Sequence, residues 1–418
     1  MRTSRIVRVR LGNGLRLVVE AERSAPVAAV AVHYDVGFRA ESEDTSGLAH
    51  LFEHLMFQDG HFRRVERAGG FCNASTRQDY TEFHTVVPAD AVATVIELEA
   101  ARMRAPEITV RALRTQVSVI REEILGKTRG PYGGFPWPHL SPVLFRSFAN
   151  AHDGYGDHEA LRRVTVADCV DFFDRHYAPG NAVVTVTGDV EPEAVLAVAE
   201  RAFGGIPPRP VPERRSYAEP EPAGQVTAGR RDPLAPLPAL ALGYRVPDPA
   251  LGPGAHLALS ALAGVLTGGV RPRLRERLRR ETGQDVTVAA RAGLFDLLDA
   301  RDPDLWLLTA LHPARLPAGR VLAAVDAELA ALAADGPTRE ELRRCAAAWS
   351  LTHYRSMDEP AGRACLLGRF ELLFGDPGLA ARLPALYADL DAGDVAAAAR
   401  GLRPDSRALL TITPGESR

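Results

Sequence analysis

The chain has 418 residues, 46% of them hydrophobic and 25% charged, which is globular composition with room for two domains. Its formal net charge of −3 is spread along the sequence, which excludes a nucleic-acid or polyanion binder. The N-terminal MRTSRIVRVRLGNG lacks the apolar core of a signal peptide, and no stretch is long enough to span a membrane. Cys72, Cys169, Cys345 and Cys365 fit no zinc-ribbon or C-x-x-C spacing and read as buried, reduced thiols of a cytoplasmic protein. The cationic residues are almost all arginine, with Lys127 the only lysine.

In chain order, Val7, Val9 and Leu11 alternate with polar residues. Asn13-Gly14 then supplies a hairpin turn, and Leu15, Leu17 and Val19 alternate again. Val27 to Tyr34 reads as a buried strand. Helical periodicity starts after Thr45-Ser46, taken as the N-cap, and stops near Asp59-Gly60. Further helices are expected over 88–104, 108–127, 166–176 and 191–203, with a strand over 182–190. Residues 213–234, rich in Pro, Glu and Arg, read as a linker between domains 1–212 and 235–418. After it the pattern restarts: 238-PALALGYRVPDP-249 is similar to 26-PVAAVAVHYDVG-37, and 408-ALLTITPG-415 to 183-VVTVTG-188. The fold class is therefore α+β, with two related domains, each a mixed or antiparallel sheet flanked by helices.

The sharpest chemical signal is 50-HLFEH-54. At about 100° per residue, a helix puts His50 and His54 on one face, with Glu53 roughly 60° from His50. Leu48, Phe52, Leu55 and Met56 form the opposite, apolar side. Two imidazoles one turn apart can share a Zn²⁺, and a carboxylate beside them can take a proton from water. The alternative is an amphipathic helix with a solvated polar face. Catalytic zinc needs a third protein ligand. Residues 108–127 carry an apolar stripe of Leu113, Val117, Ile120 and Ile124, with Glu123 at its rim beside Gln116 and Glu122 on the far side. A carboxylate at the rim of a core-facing stripe needs a partner, so periodicity selects Glu123 over Glu122. A rim salt bridge is the other reading of Glu123.

These segments resemble the pitrilysin-type inverzincins, which include insulin-degrading enzyme and the mitochondrial processing peptidase. In 116-QVSVIREEI-124 the family's E-x-x-V-V-x-x-E helix is matched, again placing the ligand at Glu123 and putting Gln116 where relatives carry a supporting acid. The stretches 69-GGFCNASTRQDYTEF-83, 174-DRHYAPGNAVVTVTGDV-190 and 267-TGGVRPRLRERLRRETG-283 resemble further family segments in the right order. The resemblance implies a zinc endopeptidase forming half of a clamshell, with Glu53 as general base and His50, His54 and Glu123 as ligands. It implies that Phe71 to Thr76 is an edge strand pairing with extended peptide, so that Phe71, Asn73, Ala74 and Thr76 meet substrate. It also implies an Arg and a Tyr facing the site from the C-terminal half. Arg279 holds the first position and Val286 the second. The missing Tyr points to a dimer, either with a homologous subunit that supplies the pair or with a second copy. For Asn73 a turn residue, and for Arg279 a surface helix residue, are the competing readings. A peptide-binding or scaffold subunit without catalysis is the competing function.

Overall fold

The structure, a computed structural model, describes residues 5–57, 60–106, 108–220, 222 and 224–415. Its strands fall into two sheets. The first comprises β1 (Ile6–Arg10), β2 (Arg16–Ala21), β3 (Val27–Tyr34), β4 (Phe71–Thr76), β5 (Thr81–Pro88) and β6 (Ala182–Gly188), in the order β1-β2-β6-β3-β5-β4. The second comprises β7 (Val226–Asp232), β8 (Ala239–Arg245), β9 (Thr287–Ala292), β10 (Leu305–Leu311) and β11 (Arg407–Pro414), in the order β7-β11-β8-β10-β9. Each sheet has one parallel pairing, β2 with β6 and β7 with β11, and is otherwise antiparallel. Strand for strand the two orders coincide, with β1 as the one addition. The duplication faintly visible in sequence is thus explicit in topology.

The residues cluster into two compact units. One holds Met1–Glu122, Gly154–Arg215 and His353–Arg382; the other holds Glu123–Asp153, Ser216–Thr352 and Leu383–Arg418. Neither is contiguous in sequence, because helical segments from each half of the chain pack with the other half's sheet. Hydrophobic periodicity reports that a helix buries a face, not which sheet it meets. Part of the 213–234 segment is strand β7 rather than linker. It is an edge strand and largely exposed, so it carries no apolar alternation to betray it. Glu221 and Ala223 of that segment lie outside the described residues.

In the first unit, helix α1 (Leu48–Leu55) presses its apolar back into a buried aromatic cluster. The Phe52 ring lies 5.0 Å from both Phe172 and Tyr177, and Tyr177 lies 4.6 Å from Tyr34. Burying a ring of this size stabilises by about 1.5–3 kcal/mol, enough to fix which face α1 turns outward. The helix starts later than its sequence suggests. Gly47, not Thr45 or Ser46, is its N-cap, while Ser42 and Thr45 close a separate 3-10 turn over Glu43–Thr45. The capping acceptor is Glu41, whose carboxylate takes hydrogen bonds from the Gly47 N–H at 2.7 Å and the Ala49 N–H at 2.8 Å. That charge also suits the positive end of the helix dipole. Asp59, the expected stop, lies outside the described residues, and Gly60 (φ 69°) caps helix α2 (His61–Arg67) instead. Helix α3 (Val92–Arg104) follows a 3-10 turn at Ala89–Ala91, and helix α4 spans Val110–Thr128.

Burial, and then the charges of Arg102 and Arg64, push the His61 imidazole down to about 3. Burial, Arg175 and Arg215 push His176 down to about 4. The unfolded chain takes up these protons near the ordinary pKa of about 6.5. The folded chain refuses them until far lower pH, so stability is intact above about pH 6.5 and falls as pH drops towards 3–4. His61 alone contributes a slope of about 1.4 kcal/mol per pH unit in that window. The urea midpoint should therefore fall steadily between pH 6.5 and 4.5, and His61→Phe should flatten the decline. An unchanged profile in that variant would refute the assignment.

Candidate metal centre

Two helices build the site. The division between the compact units falls between Glu122 and Glu123, but α4 runs unbroken through both residues. Leu113, Val117 and Ile120 bury one stripe of α4. Glu123 sits at the stripe's rim with its side chain 31% exposed, whereas Glu122 is 69% exposed. The donor atoms of His50, His54 and Glu123 all lie within 4.8 Å of one another. Ligands of one zinc, each about 2.0–2.2 Å from it, stand at most about 4.4 Å apart, so small side-chain rotations close the set.

Both imidazoles are oriented from behind. The His50 Nδ1 lies 3.0 Å from the Tyr155 carbonyl oxygen, and the His54 Nδ1 lies 3.2 Å from Gln116 Oε1. Each of these acceptors favours the tautomer with the proton on Nδ1, which leaves Nε2 with a lone pair for a metal. The two rings meet edge to face with centroids 5.0 Å apart. Gln116 thus offers His54 an acceptor through its amide oxygen, without the charge a carboxylate would bring. Tyr155 is positioned by a glycine contact. Gly47 (φ +94°) and Gly156 (φ +101°) pack backbone to backbone, and a Cβ on Gly156 would stand 2.5 Å from the Gly47 Cα. No side chain fits there, so the segment carrying Tyr155 is held against the start of α1.

Glu53 is not a member of the donor group. Its Oε2 accepts a 2.7 Å hydrogen bond from Thr76 Oγ1, at the last residue of β4. That strand is the edge of its sheet. Phe71 is 59% exposed and Asn73 is exposed, whereas Ala74 is buried at 7% and can offer a peptide only its backbone. Gly70 is required by close approach: a Cβ there would lie 2.3 Å from the Val86 carbonyl oxygen. Arg279 is an exposed residue of the Arg273–Thr282 helix, and Val286 is buried at 1%. Both belong to the second unit.

Three contributors escaped the sequence reading. Glu41 and the Tyr155 carbonyl act from loops and carry no local pattern. Lys127 could have been found, since it stands one turn after Glu123, and its Nζ donates to Glu123 Oε1. A half-exposed i,i+4 pair contributes only about 0.3–0.5 kcal/mol, against apparent binding energies of about 10–16 kcal/mol for structural zinc. The lysine therefore yields to a metal.

The family model described as Insulinase (Peptidase family M16) matches residues 16–126, and one described as Peptidase M16 inactive domain matches residues 163–348. His50, Glu53, His54 and Glu123 all fall within the first match. An uncharacterized zinc protease of Mycobacterium leprae is 27% identical over 384 residues, covering 90% of this chain and 84% of that protein. The zinc protease PqqE of Helicobacter pylori is 30% identical over 291 residues, 65% of this chain and 63% of that protein. Among solved structures, a protease from Helicobacter pylori superposes with a TM-score of 0.88 at 23% identity, covering 98% of this chain and all of that one, which shows a shared fold. With both matches in family order and relatives that are zinc proteases, the chain belongs to peptidase family M16, the insulinase family.

Proposed function

We propose that this chain is a zinc metalloendopeptidase for short unstructured peptides, acting in peptide processing such as leader-peptide removal, with His50, His54 and Glu123 as ligands. The observation that carries this reading is the convergence of those donors beside Glu53, with the carboxylate tied to the end of an open sheet edge. His50, His54 and Glu123 would hold the zinc, which when bound would supply Lewis acidity, lowering the pKa of a water towards ~7. Glu53 accepts the water's proton and delivers it to the leaving amine. The Thr76 hydroxyl holds one carboxylate oxygen and leaves the other for the proton. Because Thr76 ends β4, a peptide pairing with that edge lies in register with the base. Backbone pairing at an edge accepts only extended chain, which favours unfolded peptides.

The second reading is a peptide-binding or scaffold subunit without catalysis. The match of residues 163–348 to a domain described as inactive favours it, but that match excludes every residue of the donor set. The two readings separate on cleavage of an unstructured peptide library, abolished by chelation and restored by zinc. Cleavage that survives chelation, or none with any partner, would refute the peptidase.

Val286, buried and without a hydroxyl, cannot supply the Tyr of the family's Arg/Tyr pair. We therefore assign this chain as the catalytic member of a dimer in which a homologous subunit brings the missing group, since a second copy carries the same Val286. Size-exclusion chromatography should show a complex, and adding the partner should raise kcat. Full activity in an isolated monomer would refute this. The four free thiols support the cytoplasm as its compartment.

A further inference from the structure

Strand β5 alternates, so Phe83 faces α3 and the aromatic ring of Phe57, while Glu82, His84 and Val86 face the opposite side of the sheet. That opposite side is covered by the Pro360–Phe374 helix, which approaches through Ala361, Ala364 and Cys365. The approach is close enough that a Cβ on Gly368, one turn after Cys365, would stand 2.5 Å from the His33 ring. A carboxylate, an imidazole and a thiol therefore meet in a nearly closed space. The donor atoms of Glu82, His84 and Cys365 all lie within 4.8 Å of one another.

We propose that Glu82, His84 and Cys365 form a second zinc site, distinct from the His50–His54–Glu123 centre and on the other face of the same sheet. The donors are the mixed carboxylate, imidazole and thiolate set that suits Zn²⁺ better than Mg²⁺ or Ca²⁺. Two geometric facts leave room for a ligand among these groups. His84 Nδ1 stands 3.7 Å from Glu82 Oε1, too far for a hydrogen bond, and is buried without a hydrogen-bond partner among the described residues. His33, fully buried, brings Nε2 to 3.3 Å from Glu82 Oε2, yet neither of its ring nitrogens meets hydrogen-bond geometry. An ion drawing Glu82 Oε1 and His84 Nδ1 together leaves Oε2 for His33, which then orients the ligand from behind.

The three side chains come from residues up to 283 positions apart, so the ion would staple the Pro360–Phe374 helix to β5. It would also stiffen the neighbouring edge, since Asn73 and Ser75 of β4 lie opposite His84 and Glu82. Metal entry displaces the Cys365 thiol proton to solvent and leaves a thiolate–zinc bond. With three protein ligands, a water completes the tetrahedron, and the partial exposure of Glu82 and His84, 12% and 15% at the side chain, admits it.

The test is metal stoichiometry together with cobalt substitution, using the full chain. After dialysis against zinc, the wild type should retain two equivalents, His50→Ala/His54→Ala one, and Cys365→Ser one. Cobalt loaded into the wild type should give a thiolate-to-metal charge-transfer band in the near ultraviolet. The band should persist in His50→Ala/His54→Ala and vanish in Cys365→Ser. Because the first centre holds no thiolate, the band reports the second site alone, and the wild-type spectrum suffices even if a variant misfolds. One equivalent lost with the histidine pair and no thiolate band would overturn the second site and leave the peptidase reading standing.

Discussion

Glu53→Gln should abolish peptide cleavage and leave zinc content unchanged. Glu53 neighbours His54 in α1 but is outside the donor group, and its carboxylate accepts a 2.7 Å hydrogen bond from Thr76. Glutamine keeps the shape and can still accept that bond, so folding and metal binding survive. It cannot accept a proton from water. General base catalysis is worth about 10²–10⁴ in rate, and here the same group must also protonate the leaving amine, so the loss should reach at least the upper end of that range. The fall should appear in kcat, with KM little changed, because the edge strand that holds substrate is untouched. Wild-type turnover in Glu53→Gln would show that another group moves the proton.

Glu123→Ala should weaken zinc binding by more than 100-fold, while Glu122→Ala should leave it unchanged. The neighbours differ in where the helix points them. Glu123 stands at the rim of the buried stripe among the histidine donors, and Glu122 is 69% exposed beside Arg121. Outer-shell partners of metal ligands typically matter by about 10–100-fold, so removal of a ligand itself should exceed that, and Gln116→Ala should fall within it. Titration against a competing chelator measures all three. Equal losses from Glu122→Ala and Glu123→Ala would place the third ligand elsewhere.

How much of this was legible in the sequence depends on the range of each interaction. His50, Glu53 and His54 sit within five residues, so the helix period alone puts them together. Glu123 was separable from Glu122 because the stripe of Leu113, Val117 and Ile120 is itself periodic, and burial follows it. Strand β4 shows alternation and a preceding Gly69-Gly70, but its place at the sheet edge is a property of strand order, which no local pattern encodes. The Tyr155 carbonyl is a backbone atom 105 residues from His50, reached through two glycines, and Glu41 caps α1 from outside any capping motif. Cys365 meets Glu82 and His84 only once a distant helix has docked on the sheet. Local geometry was readable; whatever depends on which surfaces meet was not.

The most direct test is a crystal of the chain grown with zinc, measured on both sides of the zinc absorption edge. The account predicts an anomalous peak about 2.0–2.2 Å from His50 Nε2, His54 Nε2 and a Glu123 carboxylate oxygen. It also predicts that Lys127 Nζ will have released the Glu123 oxygen to which it donates here. Absence of a peak among these three side chains in zinc-saturated crystals, or a peak coordinated without Glu123, would contradict it.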